Sequence, residues 1–211
     1  MSRGTKLYFY TEISRALNSP LKCCEDLAMD LVIIVALQDE LPNLKIDKCK
    51  LLFSGVGKVN AAQTTTEAIL KFRPRKIVNL GTVGVLSEDK LGSILPVNEV
   101  IERDMIAEPL SPRGKVPFEK SDNIFFSRQP GFRCATGDSF VTQPDPWLTS
   151  NKVDMVDMEL FAIAKVCSIY NVPWFSLKFG TDIANAEAAK HWSGNLKEAQ
   201  NALSTALLEL I

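Results

Sequence analysis

Residues 50–80 read KLLFSGVGKVNAAQTTTEAILKFRPRKIVNL, and this stretch decides the fold. A short apolar run, Lys50–Ser54, leads into the turn Gly55–Gly57, and the residues after the turn predict a helix over 58–72. A proline then ends the helix, and Lys76–Leu80 predicts the next strand. This order of strand, turn, helix and strand is typical of two parallel strands joined by a crossover helix.

Further apolar stretches extend this unit along the chain. Residues 30–37, DLVIIVAL, form a continuous apolar run, which is typical of a strand buried on both faces. Other strands are predicted over Arg133–Val141 and Trp174–Phe179, and other helices over about residues 158–170 and 196–208. The alternation predicts an α/β fold with a mainly parallel sheet and helices on both faces. In such sheets ligands bind at the carboxyl ends of the strands.

Two regions stand apart from this alternation. Residues 1–28 precede the first core strand and contain no glycine-rich turn or catalytic-type cluster, so we expect an N-terminal extension of unknown role. The folded domain is expected over residues 29–211. Residues 104–123 contain three prolines and many charges and predict a long loop, which in compact domains is usually functional or disordered.

The charge balance and the apolar segments exclude two classes of partner. The 211 residues include 24 Lys and Arg against 25 Asp and Glu, a formal net charge of −1. Binding of nucleic acid needs a basic excess, so no such partner is expected. The longest apolar run, Leu31–Leu37, is far shorter than the roughly 20 residues that span a bilayer, and we expect a soluble protein without a membrane partner.

The cysteine and histidine content argues against metal sites and histidine-based catalysis. Five cysteines without a C-x-x-C pair predict neither a disulfide framework nor a zinc site, and they suit the reducing cytoplasm. His191 is the only histidine, and no G-x-S-x-G motif accompanies it. We therefore expect no metal and no cofactor, and any acid–base chemistry must fall on carboxylates.

The turn Gly55–Gly57 admits two interpretations. Asn60 stands where a dinucleotide-binding fingerprint has its third glycine, and the spacing of a P-loop is missing. The turn is therefore either a tight connection that lets the helix pack closely, or a place where backbone approaches a polar ligand.

Four polar groups follow the predicted strands: Gln38–Glu40, Asn79–Gly84, Asp157–Glu159 and Gly180–Asp182. Each alone is typical of a helix cap, a helix-dipole complement or a strand-to-loop turn. Together they lie at the ends of four strands or at the starts of the following helices. The sequence therefore predicts that they converge on one face of the domain.

These segments also resemble a known family. The resemblance rests on Ala36–Glu40, Ser54–Ala62, Asn79–Gly84, Gly137–Phe140, Val156–Glu159 and Thr181–Asp182, in this order. Over roughly residues 29–211 the chain resembles the methylthioadenosine/S-adenosylhomocysteine nucleosidases of the purine nucleoside phosphorylase superfamily. The resemblance implies a three-layer α/β/α sandwich with a central mixed, mainly parallel sheet. It also implies a hydrolase of methionine salvage and nucleoside metabolism that releases adenine from 5′-thio nucleosides, usually as a homodimer.

The resemblance assigns the reacting groups to particular residues. Asp182 matches the general acid that protonates N7 of the purine, a role that needs a raised pKa. Glu40 matches the carboxylate that activates the attacking water, a division of labour similar to that of inverting glycosidases. Glu159 matches the acceptor of both ribose hydroxyls, Met158 packs on the sugar, and Phe140 stacks on adenine.

Other matched positions concern the 5′ substituent and the departures from the family. Trp192 and Val56 match residues that line the 5′-alkylthio pocket. Thr82 stands in place of the usual serine and keeps the hydroxyl group. Lys178 stands where the family usually has an arginine near the water, so it keeps the charge but loses the planar fork. The segment between Glu40 and the next strand is shorter than usual and is expected to lack a hairpin.

The expected homodimer would bring residues 107–112 of one chain toward the 5′ pocket of the other.

Three alternative functions stay open at this point. Phosphorolysis is disfavoured because Gln38–Glu40 would repel phosphate. Hydrolysis of futalosine, a 6-oxopurine nucleoside, is excluded less firmly. A nucleoside-binding protein without catalysis would be indicated if Lys178 and the shortened segment mark lost activity.

Overall fold

The computed structural model describes residues 29–41, 49–121 and 123–210. The predicted N-terminal extension, residues 1–28, lies outside the described residues, and so does most of the shortened segment after Glu40, residues 42–48. The twelve helices and strands described here are numbered in chain order. They are β1 (Leu31–Val35), β2 (Cys49–Phe53), α1 (Lys58–Phe72), β3 (Ile77–Val85), β4 (Ile94–Glu102), β5 (Ile124–Phe126), β6 (Phe132–Thr136), α2 (Pro146–Ser150), β7 (Met155–Asp157), α3 (Leu160–Ile169), β8 (Trp174–Ile183) and α4 (Ala188–Leu210).

The eight strands form one mixed sheet, which confirms the predicted α/β class. β2, β1 and β3 are parallel neighbours, and β8 lies parallel to β3 along its whole length. β8 then pairs antiparallel with β4, β4 pairs parallel with β6, and β6 pairs parallel with β7. β7 returns antiparallel to β3, so β3, β8, β4, β6 and β7 close a ring of five strands. The sequence did not predict this closure.

The pairing leaves a gap along one edge of β3. β8 occupies the other edge from Ile77 to Val85. On the gapped edge, β1 pairs with residues 77–79 and β7 pairs only with Gly84 and Val85. Because β1 runs parallel to β3 and β7 runs antiparallel to it, the carboxyl ends of β1 and β7 face each other across residues 80–83. The predicted convergence of strand ends takes place at this gap.

Helices cover both faces of the sheet. α1 and α3 pack against each other and against the sheet through a core that includes Ala68, Val85 and Ile163. α4 packs on β8 and β3 through a second core that includes Leu203 and Phe179. The three layers agree with the expected α/β/α arrangement.

The bounds of several elements differ from the sequence prediction. α1 spans the predicted residues, but β3 and β8 run past Leu80 and Phe179, because each continues to pair with the other through residues 81–85 and 180–183. Gly180–Asp182 therefore lie inside a strand and do not cap a helix. α4 begins at Ala188, eight residues earlier than predicted. β5, β7 and α2 were not predicted, since β5 and β7 have only three residues each and α2 only five. The nine-residue strand β4 was missed as well, although it is long enough to be recognised.

The core position of Ile163 gives a stability prediction. Ile163 is fully buried in α3, whereas Ile169 of the same helix is 66% exposed. Ile163→Ala should lower the free energy of unfolding by about 2–5 kcal/mol, because it removes buried methyl groups and leaves a cavity. Ile169→Ala should change it by less than about 0.5 kcal/mol. Urea titration of both variants decides the matter, and equal losses would contradict the described packing of α3.

Candidate active site

A cavity of ≈ 310 Å³ lies at the gap along β3. Its wall brings together eight of the residues predicted from the sequence, which come from seven separate segments of the chain. They are Glu40, Val56, Thr82, Phe140, Met158, Glu159, Asp182 and Trp192. Lys178 is absent from the wall.

The carboxylate of Glu40 is held by three donors. The backbone N–H of Thr82 and the Thr82 hydroxyl donate to its Oε1 at 2.9 and 2.6 Å, and the backbone N–H of Leu37 donates to its Oε2 at 3.1 Å. The Thr82 N–H is free to do this because neither β1 nor β7 pairs with residues 80–83, on the edge of β3 opposite β8. Gly81 lies beside the same carboxylate, since a Cβ there would be at contact distance, 3.4 Å, from Glu40 Oε1. Glu40 is therefore buried and fixed in orientation.

Glu159 lies at the N-terminus of α3 and points toward the glycine turn. The backbone N–H of Gly57 donates to its Oε1 at 2.9 Å. Burial, followed by the negative charge of Asp157, raises the pKa of Glu159 to about 7. The turn Gly55–Gly57 thus brings backbone against a polar side chain of the cavity. Both of its glycines have positive φ, 81° and 97°, which other residues rarely adopt.

Asp182 enters the cavity from β8. It is 3% exposed, and burial raises its pKa although the Thr181 hydroxyl donates to its Oδ1 at 2.8 Å. Gly84 provides the room for this carboxyl group, because a Cβ there would lie 2.9 Å from Asp182 Oδ2. The surroundings of Asp182 therefore shift its carboxyl group toward the protonated form.

Lys178 does not line the cavity. Its side chain is 1% exposed and its ammonium group lies behind the wall, 2.8 Å from Asp157 Oδ2. Burial alone would raise the pKa of Asp157, but the charge of Lys178 holds it below its usual value. Lys178 also opposes the rise in the pKa of Glu159. The sequence predicts Asp157 at a helix start and gives no sign of its pairing with this lysine.

The side of the cavity nearest solvent is apolar. Val56 is 42% exposed and Phe140 is 50% exposed. Trp192 of α4 stands beside them, and its indole Nε1–H donates to Thr82 Oγ1 at 3.0 Å. Met158 also lines the cavity. An apolar substituent of a ligand would be accommodated on this side.

Arg103 lines the cavity but was not predicted. Its guanidinium group donates to the carbonyl oxygen of Gly137 at 2.9 Å, to the Ser139 hydroxyl at 3.2 Å and to the Ser139 carbonyl oxygen. It therefore supports the loop that carries Phe140. A single arginine in the charged stretch Glu102–Asp104 gave no pattern that could have revealed it.

Lys58, the residue after the glycine turn, was also missed. Its ammonium group lies 2.5 Å from Glu102 Oε1 and 2.5 Å from Asp104 Oδ1, and its backbone N–H donates to Asp138 Oδ1 at 2.8 Å. These bonds join the turn at Gly57 to the loop before Phe140. The K in the GVGK motif was the available signal.

Among the described residues, no three His, Cys, Asp or Glu side chains are grouped so that they could hold a metal ion. No helix within the described ranges is both long and apolar enough to cross a membrane. The cavity offers the buried carboxyl groups of Glu40, Glu159 and Asp182, backbone donors and an apolar side, and it is also lined by Asp157, whose carboxylate is paired with Lys178. This set suits acid–base chemistry on a small polar molecule with an apolar substituent.

Comparison with known sequences identifies relatives of this chain. A family model described as the phosphorylase superfamily matches residues 43–143 and 125–211. The 5′-methylthioadenosine/S-adenosylhomocysteine nucleosidase of Staphylococcus haemolyticus is 31% identical over 179 residues, which cover 75% of this chain and 78% of that protein. The nucleosidase of the same name from Staphylococcus aureus strain JH9 is 31% identical over 167 residues, 69% of this chain and 73% of that protein.

Solved structures share the fold. The 5′-methylthioadenosine/S-adenosylhomocysteine nucleosidase of Helicobacter pylori, solved with butyl-thio-DADMe-Immucillin-A, superimposes with a TM-score of 0.75 at 21% identity and covers 87% of this chain and 99% of that chain. Futalosine hydrolase of the same organism gives a TM-score of 0.78 at 21% identity and covers 89% of this chain and 100% of that chain. At these identities the structures show the fold alone.

The family assignment rests on the sequence comparisons, to which the cavity and the shared fold add their agreement. The chain belongs to the phosphorylase superfamily and, within it, to the family of the 5′-methylthioadenosine/S-adenosylhomocysteine nucleosidases.

Proposed function

We propose that this chain hydrolyses the N-ribosyl bond of 5′-methylthioadenosine, S-adenosylhomocysteine or both, and releases adenine and the 5-thio-ribose. The observation that carries the proposal is the convergence of Glu40, Glu159 and Asp182 in one cavity of a chain from this family. Their environments differ, and this difference assigns them separate roles.

Asp182 is proposed as the general acid. Cleavage of an N-ribosyl bond builds positive charge on the sugar and negative charge on the leaving base, so a proton delivered to adenine N7 helps most. Burial raises the pKa of Asp182, which is the direction that a proton donor needs. The Thr181 hydroxyl, which donates to Oδ1, leaves Oδ2 for the base.

Glu40 is proposed as the base that accepts a proton from the attacking water. The N–H groups of Leu37 and Thr82 and the Thr82 hydroxyl fix its carboxylate. A fixed base loses little freedom in the transition state. The water would attack the anomeric carbon as the bond to adenine lengthens.

Glu159 is proposed as the acceptor of the two ribose hydroxyls, with Met158 packed against the sugar. An ionised carboxylate accepts both hydrogen bonds best. Lys178 is proposed to act from behind the wall, where its charge opposes the protonation of Glu159. Phe140 would stack on adenine, and Val56 and Trp192 would enclose the 5′-alkylthio group.

We also propose that the chain acts as a homodimer in the cytoplasm. Ile106, Leu110 and Phe118 are 66%, 68% and 91% exposed on the long loop after β4. The loop is nonetheless folded back on the domain, since Arg113 forms two hydrogen bonds to Asp145 at 3.1 and 2.7 Å. Exposed apolar side chains on an anchored loop favour burial against a second copy.

Adenine release from methylthioadenosine, with and without phosphate, tests the proposed function. Release that does not need phosphate is the expected result. Strict dependence on phosphate would indicate phosphorolysis, and turnover of futalosine without turnover of methylthioadenosine would transfer the assignment to that nucleoside. Tight binding without turnover would indicate a binding protein.

Asp182→Asn should lower adenine release by at least about 100-fold, because the amide keeps a hydrogen bond but cannot deliver the proton. Binding of the nucleoside should stay within about tenfold of wild type. Asp89→Asn, at an exposed position, is the matched control and should keep wild-type turnover. If the Asp182 variant keeps more than about a third of wild-type turnover, the proposed acid is wrong.

Glu159→Gln should penalise ribosides more than 2′-deoxyribosides, because the lost charge matters where a 2′-hydroxyl is present. Glu40→Gln provides the comparison, since loss of the base should lower kcat by a similar factor on both sugars. The ratio of kcat/KM for methylthioadenosine and its 2′-deoxy analogue measures the difference. Equal losses in the Glu159 variant would refute the contact with the diol.

The raised pKa of Glu159 predicts an acid limb in the pH profile of kcat/KM. Below pH about 7 this carboxylate takes up a proton and becomes a weaker acceptor, so kcat/KM should fall by up to about tenfold per pH unit. The limb should disappear in Glu159→Gln. A wild-type profile that is flat from pH 5 to 8 would contradict the assignment.

The dimer prediction has two measurements. Sedimentation at micromolar concentration should show a dimer that Leu110→Asp shifts toward monomer, while Leu208→Asp, at a similarly exposed position on α4, should not. The ratio of kcat/KM for methylthioadenosine over adenosine should be about ten or more, since burial of one methylthio group is worth roughly 1–2 kcal/mol. A monomer with an undiminished thio preference would remove the partner loop from the 5′ pocket.

A further inference from the structure

We propose that Trp192 is a positioning residue for Glu40, and that it acts through the hydroxyl group of Thr82. The inference rests on the proposed function, because it assigns Trp192 a second task in the same reaction. The observation behind the proposal is a chain of two hydrogen bonds that joins the side chains of Trp192, Thr82 and Glu40. The two distances are 3.0 Å from Trp192 Nε1 to Thr82 Oγ1 and 2.6 Å from Thr82 Oγ1 to Glu40 Oε1.

Chemistry alone fixes the direction of these hydrogen bonds. The indole N–H of tryptophan can donate but not accept, so Thr82 Oγ1 must accept from Trp192. The hydroxyl then has one proton left to donate, and Glu40 Oε1 is the acceptor at 2.6 Å. Trp192 therefore favours the orientation in which the Thr82 hydroxyl donates to Glu40. Without the indole N–H, the hydroxyl would lose one of its two restraints and would donate more often elsewhere, including to the attacking water.

The helix that carries Trp192 is tied to the same strand ends. Asn195 Nδ2, one turn further along α4, donates to the carbonyl oxygen of Thr181 at 2.7 Å. Gln200 Nε2 donates to the carbonyl oxygen of Asp39 at 2.7 Å, next to Glu40 in the chain. α4 is thus anchored on both sides of the cavity, and the indole is presented to Thr82 from a fixed support.

The two possible roles of Trp192, as a wall of the 5′ pocket and as a positioning residue, predict different kinetics for its variants. If Trp192 only encloses the 5′ substituent, its replacement weakens binding of thio nucleosides and spares adenosine. If it orients the Thr82 hydroxyl toward Glu40, its replacement lowers kcat on every nucleoside, whatever the 5′ group. Phenylalanine is the informative replacement, because it keeps an aromatic ring and removes the N–H.

The experiment measures kcat and KM of Trp192→Phe on methylthioadenosine and adenosine, in three backgrounds at position 82. With Thr82 present, kcat should fall about fivefold on both nucleosides, the effect of one lost hydrogen bond, and KM for adenosine should stay within about twofold. In a Thr82→Val background, which lacks the hydroxyl, the same change should lower kcat less than about twofold. In Thr82→Ser, which keeps it, the fivefold loss should return.

Two kinetic results would overturn the inference: a rise in KM for methylthioadenosine alone with kcat unchanged, or an equal loss of kcat in the Thr82→Val background. If wild type releases no adenine, the proposed function fails and the inference falls with it, so the two failures are distinguishable. Should Trp192→Phe not fold, the indole N–H proton resonance of Trp192 remains as a readout. It should move upfield in Thr82→Val and not in Thr82→Ser, and an unchanged resonance in Thr82→Val would overturn the inference.

Discussion

The ion pair between Lys178 and Asp157 is the interaction on which the site depends. Both side chains are about 1% exposed, and Asp157 also accepts from the Thr136 hydroxyl at 2.5 Å and from the backbone N–H of Leu160 at 3.0 Å. One carboxylate therefore joins β8, β7, β6 and the start of α3. A buried charge left without its partner typically costs about 3–5 kcal/mol. The pair holds Glu159, two residues after Asp157, at the helix start. The charge of Asp157 raises the pKa of Glu159, and the charge of Lys178 lowers it.

The geometry of β3 explains why the chemistry takes place here. A central strand would normally pair on both edges along its whole length. On one edge of β3, however, β1 pairs only with residues 77–79 and β7 only with Gly84 and Val85. The unpaired N–H of Thr82 is then available to Glu40. Glycine at 84 admits the carboxyl group of Asp182, because a Cβ at that position would crowd it. The sheet thus gives up strand pairing over four residues and gains a polar cavity.

The alternation of apolar strands and amphipathic helices was sufficient to predict the α/β class and the bounds of α1, since both depend on local periodicity. The ring closure could not be predicted in this way, because it depends on β7, which has three residues and no periodicity of its own. Glu40 and Asp182, the proposed base and acid, could be named from the motifs, although Asp182 lies inside β8 and does not follow a strand. The pairing of Lys178 with Asp157 could not be predicted, because it joins residues that are 21 positions apart and lie on different strands. Arg103 was missed because it contacts a loop 34 residues away in sequence.

The most direct test of this account is the crystal structure of the Asp182→Asn variant with methylthioadenosine bound. The proposed roles of Asp182 and Glu159 predict that adenine N7 lies within about 3 Å of the side chain at position 182, and the ribose hydroxyls at a similar distance from the Glu159 carboxylate. The 5′ sulfur is expected against Trp192. A nucleoside bound outside the cavity, or one turned so that its diol faces position 182, would contradict it.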